Sequence, residues 1–271
     1  MAYNKTDGIV DFFGGKEDIE NLILRAVGDP EKRFLEDALR ILRLVRFAST
    51  LEFQIEEKTF SDAIKCAVNL KTISSERIFT ELYKASIGKN FSVIAPFLEC
   101  GALSFLKIEK LPDFGVIKKV SSLDLAFFTF LHFSSTDILK TLELLKVSGK
   151  FKNYCTNLEE ILQIKTVGTK ADIKRLLLKF DAKHIKDGLI LKGILENTSY
   201  DNVFYMLQEI LQNGEPYLIK HLAITGEILE NIGFRGKQIG EILKQLQLLV
   251  IESPKLNTTE TLLEKLNEIS P

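Results

Sequence analysis

Histidine and cysteine are scarce, three of each in 271 residues. His132, His184 and His221 form no His-Asp dipeptide and no paired-ligand spacing, which argues against a histidine-based metal hydrolase. Cys66, Cys100 and Cys155 are far apart, odd in number and outside any metal spacing. They read as buried reduced thiols of a cytoplasmic protein, not as a disulfide framework. Six prolines and 16 glycines leave little material for long disordered linkers. No apolar run reaches the roughly 18 residues of a membrane span, and the N-terminus lacks the basic and apolar regions of a signal peptide. Neither sign of charge dominates. With 36 basic and 37 acidic side chains the net charge is -1, so contact with nucleic acid has to come from local patches and not from a basic coat.

The chain does have enough apolar material, 45%, for a sizeable core. Residues 8–13 (GIVDFF) are the best strand candidate. Gly14-Gly15 then suits a turn, and Asp18 to Val27 reads as a helix, stopped by Gly28-Asp29-Pro30. Beyond residue 30 the apolar period is helical, in segments of helix length with no fixed repeat. Segment 121–134 is apolar, short and carries Asp124, which suits a buried core helix. Near the C-terminus, Thr225 suits an N-cap, Gly233 a helix stop, and Ile239, Ile242, Leu243, Leu246, Leu249 and Val250 one apolar stripe.

The most informative segment runs from Glu36 to Phe47 (EDALRILRLVRF). On a continuous helix, Ala38, Ile41, Leu42, Leu44, Val45 and Ala48 share one side. Glu36, Asp37, Arg40, Arg43 and Arg46 share the other, with Leu39 and Phe47 among them. A solvated face laced by internal ion pairs would have the same spacing. All three basic positions are arginine, although lysine is common elsewhere, and arginine brings a planar fork of donors suited to bases and phosphates.

The flanks of that segment carry a family resemblance. IVDFFGGKEDI at 9–19, RAVGDPEKRFLEDALRILRLVRFASTLEF at 25–53, TISSERIFTEL at 72–82 and MAYN at 1–4 resemble bacterial CCA-adding tRNA nucleotidyltransferases, a family that also contains bacterial poly(A) polymerases. HLAITGEILENIGFRGKQIGEILKQLQ at 221–247 is similar to the C-terminal domain of the CCA-adding subgroup, and 90–215 carries no matching motif. The resemblance implies a protein template that selects CTP and ATP. Asp37 and Arg40 would read the base, Arg43 and Arg46 would meet the triphosphate or ribose, Glu36 would orient Arg40, and Glu76 and Arg77 would buttress the template. It implies Mg²⁺ bound by an Asp-x-Asp pair in a nucleotidyltransferase head. That head's motifs are absent, so the expectation is a reading frame that starts at an internal Met1 and is inactive alone, with no catalytic or metal residue in this chain. Asp11 and Asp18, beside the Gly14-Gly15 turn, read as turn and cap residues and not as substitute ligands.

The expected fold is all-α for most of the chain. An elongated neck, body and tail would follow a small α/β remnant of the head, with domains at 1–28, 29–95 (neck, nucleotide-selecting helix), 96–190 (body) and 191–271 (tail, tRNA-binding). Stretch 165–186 holds seven Lys/Arg against two Asp. Lys174, Arg175 and Lys179 there, and Lys237 and Lys244 in the tail, are candidate phosphate contacts for tRNA. A solvated helix face is the more ordinary account of the basic stretch. The functional expectation is the nucleotide-selecting and tRNA-binding part of a CCA-adding enzyme. The alternatives are the non-catalytic half of a split enzyme, partnered by a separate catalytic head polypeptide, or a tRNA-binding module, or a helical interaction scaffold.

Overall fold

Short polar signals divide the chain into many modest helices. The computed structural model describes residues 2–6 and 8–269. Met1, and with it the expectation of an internal start, lies outside them. The fold divides into two compact units, residues 1–156 and 157–271.

The first unit opens with a hairpin of β1 (Ala2–Asn4) and β2 (Gly8–Val10), in which Tyr3 faces Ile9. The strand expected over 8–13 stops at Val10. The Asp11 carboxylate accepts the N–H of Phe13 at 3.3 Å and of Lys16 at 2.7 Å, which turns the chain into α1 (Gly15–Glu20). The helix expected from Asp18 to Val27 therefore ends early. Leu22 adopts a left-handed backbone (φ 56°), and β3 (Ile23–Leu24) pairs in parallel with the distant β4 (Gln54–Ile55). Between them lie α2 (Pro30–Glu36) and α3 (Leu39–Leu51). Then follow α4 (Glu57–Cys66), α5 (Ser75–Ala85), α6 (Ala95–Glu99), α7 (Phe114–Lys118), α8 (Leu123–Ser134), α9 (Ile138–Leu144) and α10 (Gly149–Leu162), within which the division falls.

The long helix α3 packs on α5, and small residues set how closely. Ser49 Oγ donates to the Ala85 carbonyl at 2.8 Å, and the Asn90 N–H donates to the Ser49 carbonyl at 3.2 Å. Gly88 closes this contact, because a Cβ there would stand 2.6 Å from the Ser49 backbone. Helix α8 is the buried helix that its sequence suggests. Its Phe127 packs edge-on to Phe79 and Tyr83 of α5, and the Tyr83 hydroxyl donates to Asp124 at 2.5 Å. Burial, then that hydrogen bond to an anion, push the Tyr83 phenol well above its ordinary value.

The second unit contains α11 (Lys170–Leu177), α12 (Ala182–Glu196), α13 (Asp201–Gln212), α14 (Gly226–Asn231), α15 (Lys237–Glu252) and α16 (Thr259–Ile269). Residues 190 and 191 fall inside α12. Thr169 and Asp172 form a reciprocal capping box on α11, and Thr225 caps α14 by accepting the Ile228 N–H. Ile242, Leu246 and Val250 of α15 bury against Leu229, Leu262 and Leu266. Of the three cysteines expected to be buried, Cys66 and Cys155 are, but Cys100, at the end of α6, is exposed. Among the described residues, no helix is long and apolar enough to cross a membrane.

Candidate nucleotide-binding site

The Glu36–Phe47 segment is not one helix. Helix α2 closes at Glu36, and Asp37 has an extended backbone (φ −151°, ψ 101°) before α3 starts at Leu39. The cause is a short side chain competing with the backbone. Asp37 closes α2 through its N–H to the Arg33 carbonyl, while its Oδ1 accepts the Leu39 N–H at 3.1 Å and its carbonyl accepts the Arg40 N–H at 3.1 Å, so the same residue also holds the first turn of α3. The break also moves Leu39. A continuous helix would set it on the polar side, but it is buried with Ile41, Leu42, Val45 and Ala48. Arg40 and Arg43 remain on the exposed side of α3, whereas Arg46 is largely covered.

Each charged group has a defined partner. Glu36 Oε2 accepts from Arg40 at 2.7 Å and from Arg33 at 3.0 Å, while the same Arg40 nitrogen donates to the Arg33 carbonyl at 2.9 Å. Asp37 Oδ2 accepts from Arg77 of α5 at 2.9 Å. Four residues along α5, Glu81 pairs with Arg46 at 3.2 Å and, more loosely, with Arg43 at 3.9 Å. Both guanidiniums lie over the Phe47 ring, 4.5 Å away for Arg46 and 5.7 Å for Arg43. Thus Arg77 and Glu81, on one face of α5, engage the two ends of the segment. Glu76 does not join them. It pairs with Lys146 at 3.1 Å. Sequence reading missed Glu81 and Arg33. Glu81 carries a signal, since it lies one helical turn after Arg77 within TISSERIFTEL.

These contacts fix the charge state of the acceptors. The hydrogen bond from Arg40 holds the Glu36 carboxyl below its ordinary value. Burial pushes Asp37 upward, but the hydrogen bonds from Arg77 and the Leu39 N–H outweigh it and keep the carboxyl low. At neutral pH Asp37 therefore only accepts hydrogen bonds, and Arg40 only donates.

Beside Phe47 opens a groove of about 750 Å³, lined by Phe13, Ile19, Val27, Leu51 and Phe53 and also by Asp11, Asp18 and Arg25. Asp11 is committed to backbone N–H groups, and Asp18 accepts from Arg25 at 3.2 Å. Among the described residues, no group of three or more His, Cys, Asp or Glu side chains could hold a metal ion.

The chain is 30% identical to the CCA-adding enzyme of Streptococcus gordonii, over 99% of this chain and 69% of that enzyme. The chain belongs to the CCA-adding enzyme family. The fold agrees. The crystal structure of the Bacillus stearothermophilus CCA-adding enzyme in complex with CTP matches 98% of this chain and 71% of its own, with a TM-score of 0.78 at 21% identity. The Thermotoga maritima CCA-adding enzyme complexed with tRNA matches 96% and 68%, with a TM-score of 0.63 at 20% identity. Residues 52–95 match a family model described as the probable RNA and SrmB-binding site of polymerase A. That span includes α4 and α5, and so both Arg77 and Glu81.

The lysines and arginine expected to meet tRNA have different environments. Lys174 cannot serve, because its side chain is 0% exposed and its ammonium pairs with Glu215 at 2.8 Å. The basic stretch that contains it is not a uniform solvated face, since α11 buries this position with Ile173. Arg175 is exposed and pairs with Asp172 at 3.2 Å and with Glu252. Lys179 is exposed and pairs with Glu160. Lys237 and Lys244 are exposed, in the first and second turns of α15.

Proposed function

We propose that this chain selects CTP and ATP and grips tRNA during addition of CMP and AMP to tRNA 3′ ends. One observation carries this reading. An ionised Asp37, held by Arg77 and by a helix N-terminus, stands at a helix corner beside the guanidinium of Arg40. Cytosine and adenine each present an exocyclic amino donor beside a ring-nitrogen acceptor. Asp37 accepts from the amino group and Arg40 donates to the ring nitrogen, and also to O2 of cytosine. Uracil and guanine present a carbonyl and an N–H in those places, and both side chains then face a like group. Glu36 orients Arg40 through their 2.7 Å contact, and Arg43 and Arg46 serve the rest of the nucleotide. Arg77 acts as the buttress of Asp37, and Glu76 acts further out, through Lys146.

In this reading residues 29–95 form the neck that selects the nucleotide, and 96–190 and 191–271 form the body and tail that grip tRNA. Arg175, Lys179, Lys237 and Lys244 are the phosphate contacts, working in the cytoplasm. The residues present do not fit Mg²⁺, since Asp11 and Asp18 are already committed and no cluster of metal-ligating side chains stands among the described residues. The ion's ligands belong to an Asp-x-Asp head, and 1–28 is the base of that head.

A second reading, a split enzyme, is favoured by apolar exposure in that segment. Phe12 is 85% and Phe13 60% exposed, a face suited to cover by a separate head-bearing polypeptide. Equilibrium binding of CTP and UTP to the 271-residue chain tests the selection reading. CTP should bind more tightly, and Arg40→Ala should remove about tenfold of that preference, the worth of one charge-assisted hydrogen bond. Equal binding of CTP and UTP by the wild type would sink it.

A further inference from the structure

A smaller pocket lies near the C-terminal end of α3. After α5 ends at Ala85 the chain turns onto α3, where the Asn90 N–H donates to the Ser49 carbonyl at 3.2 Å. Phe91 then anchors the turn in the core, edge-on to Phe130 of α8 at 5.1 Å and to Phe114 of α7 at 6.1 Å. Helix α7 is fixed in turn, because Asp113 accepts the N–H groups of Gly115 and Val116 and Ile117 is buried. Between these two anchored pieces opens a pocket of about 260 Å³, to which the turn contributes Lys89, Asn90 and Ser92 and α7 contributes Phe114 and Lys118. What the pocket offers is mainly donors. The Asn90 Oδ1 already accepts from Ser92 Oγ at 3.2 Å, so the amide presents its N–H groups. Lys118 is exposed and pairs with no carboxylate among the described residues. Lys89 is 75% exposed, and its 3.0 Å pair with Glu52 is of the exposed kind that contributes little. No carboxylate lines the pocket, and the nearby Asp113 is committed to the backbone of α7. Two ammonium groups and an amide suit an oxyanion. The pocket is also separate from the nucleotide-selecting face, since Glu52 lies about 18 Å from Arg40 along the α3 axis.

We propose that this pocket holds a backbone phosphate of tRNA between Lys89 and Lys118, with Asn90 as a third donor. This rests on the reading that the chain grips tRNA, and it adds a contact that neither α11 nor α15 supplies. Lys89 and Asn90 fall inside the span 52–95 that matches the RNA-site model, and Lys118 falls outside it. One phosphate would therefore bridge two segments that the sequence separates, and fix where the RNA strand runs relative to α3.

The test is equilibrium binding of fluorescent tRNA by the full 271-residue chain over a salt series. Lys89→Gln and Lys118→Gln should each weaken binding about fivefold, the worth of one exposed charge contact. Each should also make the plot of log K against log salt shallower by about 1. Lys89→Arg and Lys118→Arg should keep the wild-type slope, and so should Lys5→Gln in the β1–β2 turn. The proposal is overturned if the Lys89→Gln/Lys118→Gln double variant keeps the wild-type slope, or if Lys5→Gln loses as much as either. Inorganic phosphate added at constant ionic strength should not displace the tRNA, and displacement would overturn the proposal by assigning the pocket to a small free anion. A second measurement does not depend on removing charge. Ser92→p-benzoylphenylalanine should crosslink to tRNA on irradiation, and no crosslink would also overturn the proposal. The two readings fail differently: no tRNA binding by the wild type removes both, whereas tRNA binding with an unaltered slope in the double variant removes this site alone.

Discussion

Removing Glu215 should cost far more than removing the lysine it pairs with. Lys174 is 0% exposed and pairs with Glu215 at 2.8 Å, and Lys170 approaches the same carboxylate at 2.5 Å. Glu215→Ala leaves a lysine ammonium inside the second unit with no counter-ion. Breaking a buried pair in this way costs about 3–5 kcal/mol. The lower end applies, about 3 kcal/mol, because Glu215 keeps 18% of its side chain in water. Lys174→Met replaces the buried charge with an apolar chain of similar length and leaves Glu215 with Lys170, so about 1 kcal/mol or less is expected. The pH dependence has a definite sign. Burial pushes the Glu215 carboxyl up, but hydrogen bonds from Lys170 and Lys174 outweigh it and hold the folded value below the ordinary one. Its stabilisation is therefore complete above the unfolded value of about 4.3 and is lost as pH falls through the lower folded value. Urea unfolding, which does not screen ion pairs as guanidinium chloride does, should show the full gap between wild type and Glu215→Ala at pH 7. The gap should shrink in acid below the ordinary carboxylate range. If Glu215→Ala costs no more than Lys174→Met at pH 7, the buried-charge reasoning is wrong.

Three further outcomes follow from the first unit. Arg77→Met should destabilise the fold by about 0.5–1 kcal/mol at pH 7 in urea unfolding, with the difference fading as pH falls through the depressed Asp37 value. A difference that stays constant with pH would assign the effect to packing. Gly88→Ala sets a Cβ 2.6 Å from the Ser49 backbone and should cost about 1–3 kcal/mol, measurable as a lower urea midpoint, whereas Gly149→Ala, with open space around it, should not. The 271-residue chain incubated with tRNA, radiolabelled CTP and Mg²⁺ should incorporate no CMP, and incorporation would show that its own carboxylates can hold the metal.

The parts of this molecule legible in its sequence are those set by neighbours along the chain. The buried helix at 123–134, the Thr225 cap and the apolar stripe of α15 follow from composition and helical spacing over a few residues. The corner at Asp37 was not legible. An aspartate in a strongly helical run can continue the helix or cap the next one, and here the choice is reinforced by Arg77, 40 residues away. The same holds for β3, a two-residue strand whose partner comes 31 residues later, and for Lys174, whose burial depends on Glu215 beyond the next two helices. In the candidate site, Asp37, Arg40, Arg43 and Arg46 are visible as residue types at a suggestive spacing. Arg40 is held locally, by α2, but what holds Asp37, Arg43 and Arg46 is written on α5.

The corner at Asp37 also changes what kind of object the selecting segment is. On one continuous helix, its carboxylate and guanidiniums would share a single rotational phase, and any insertion would turn them together. Divided by an extended residue, they belong to two separate screws. One residue inserted into the first turn of α3 would rotate Arg43 and Arg46 by about 100° and leave Asp37 and Glu36 where they are. On the proposed reading, the alphabet of the site is set by registration across a joint, and α5, through Arg77 and Glu81, keeps the two screws in step.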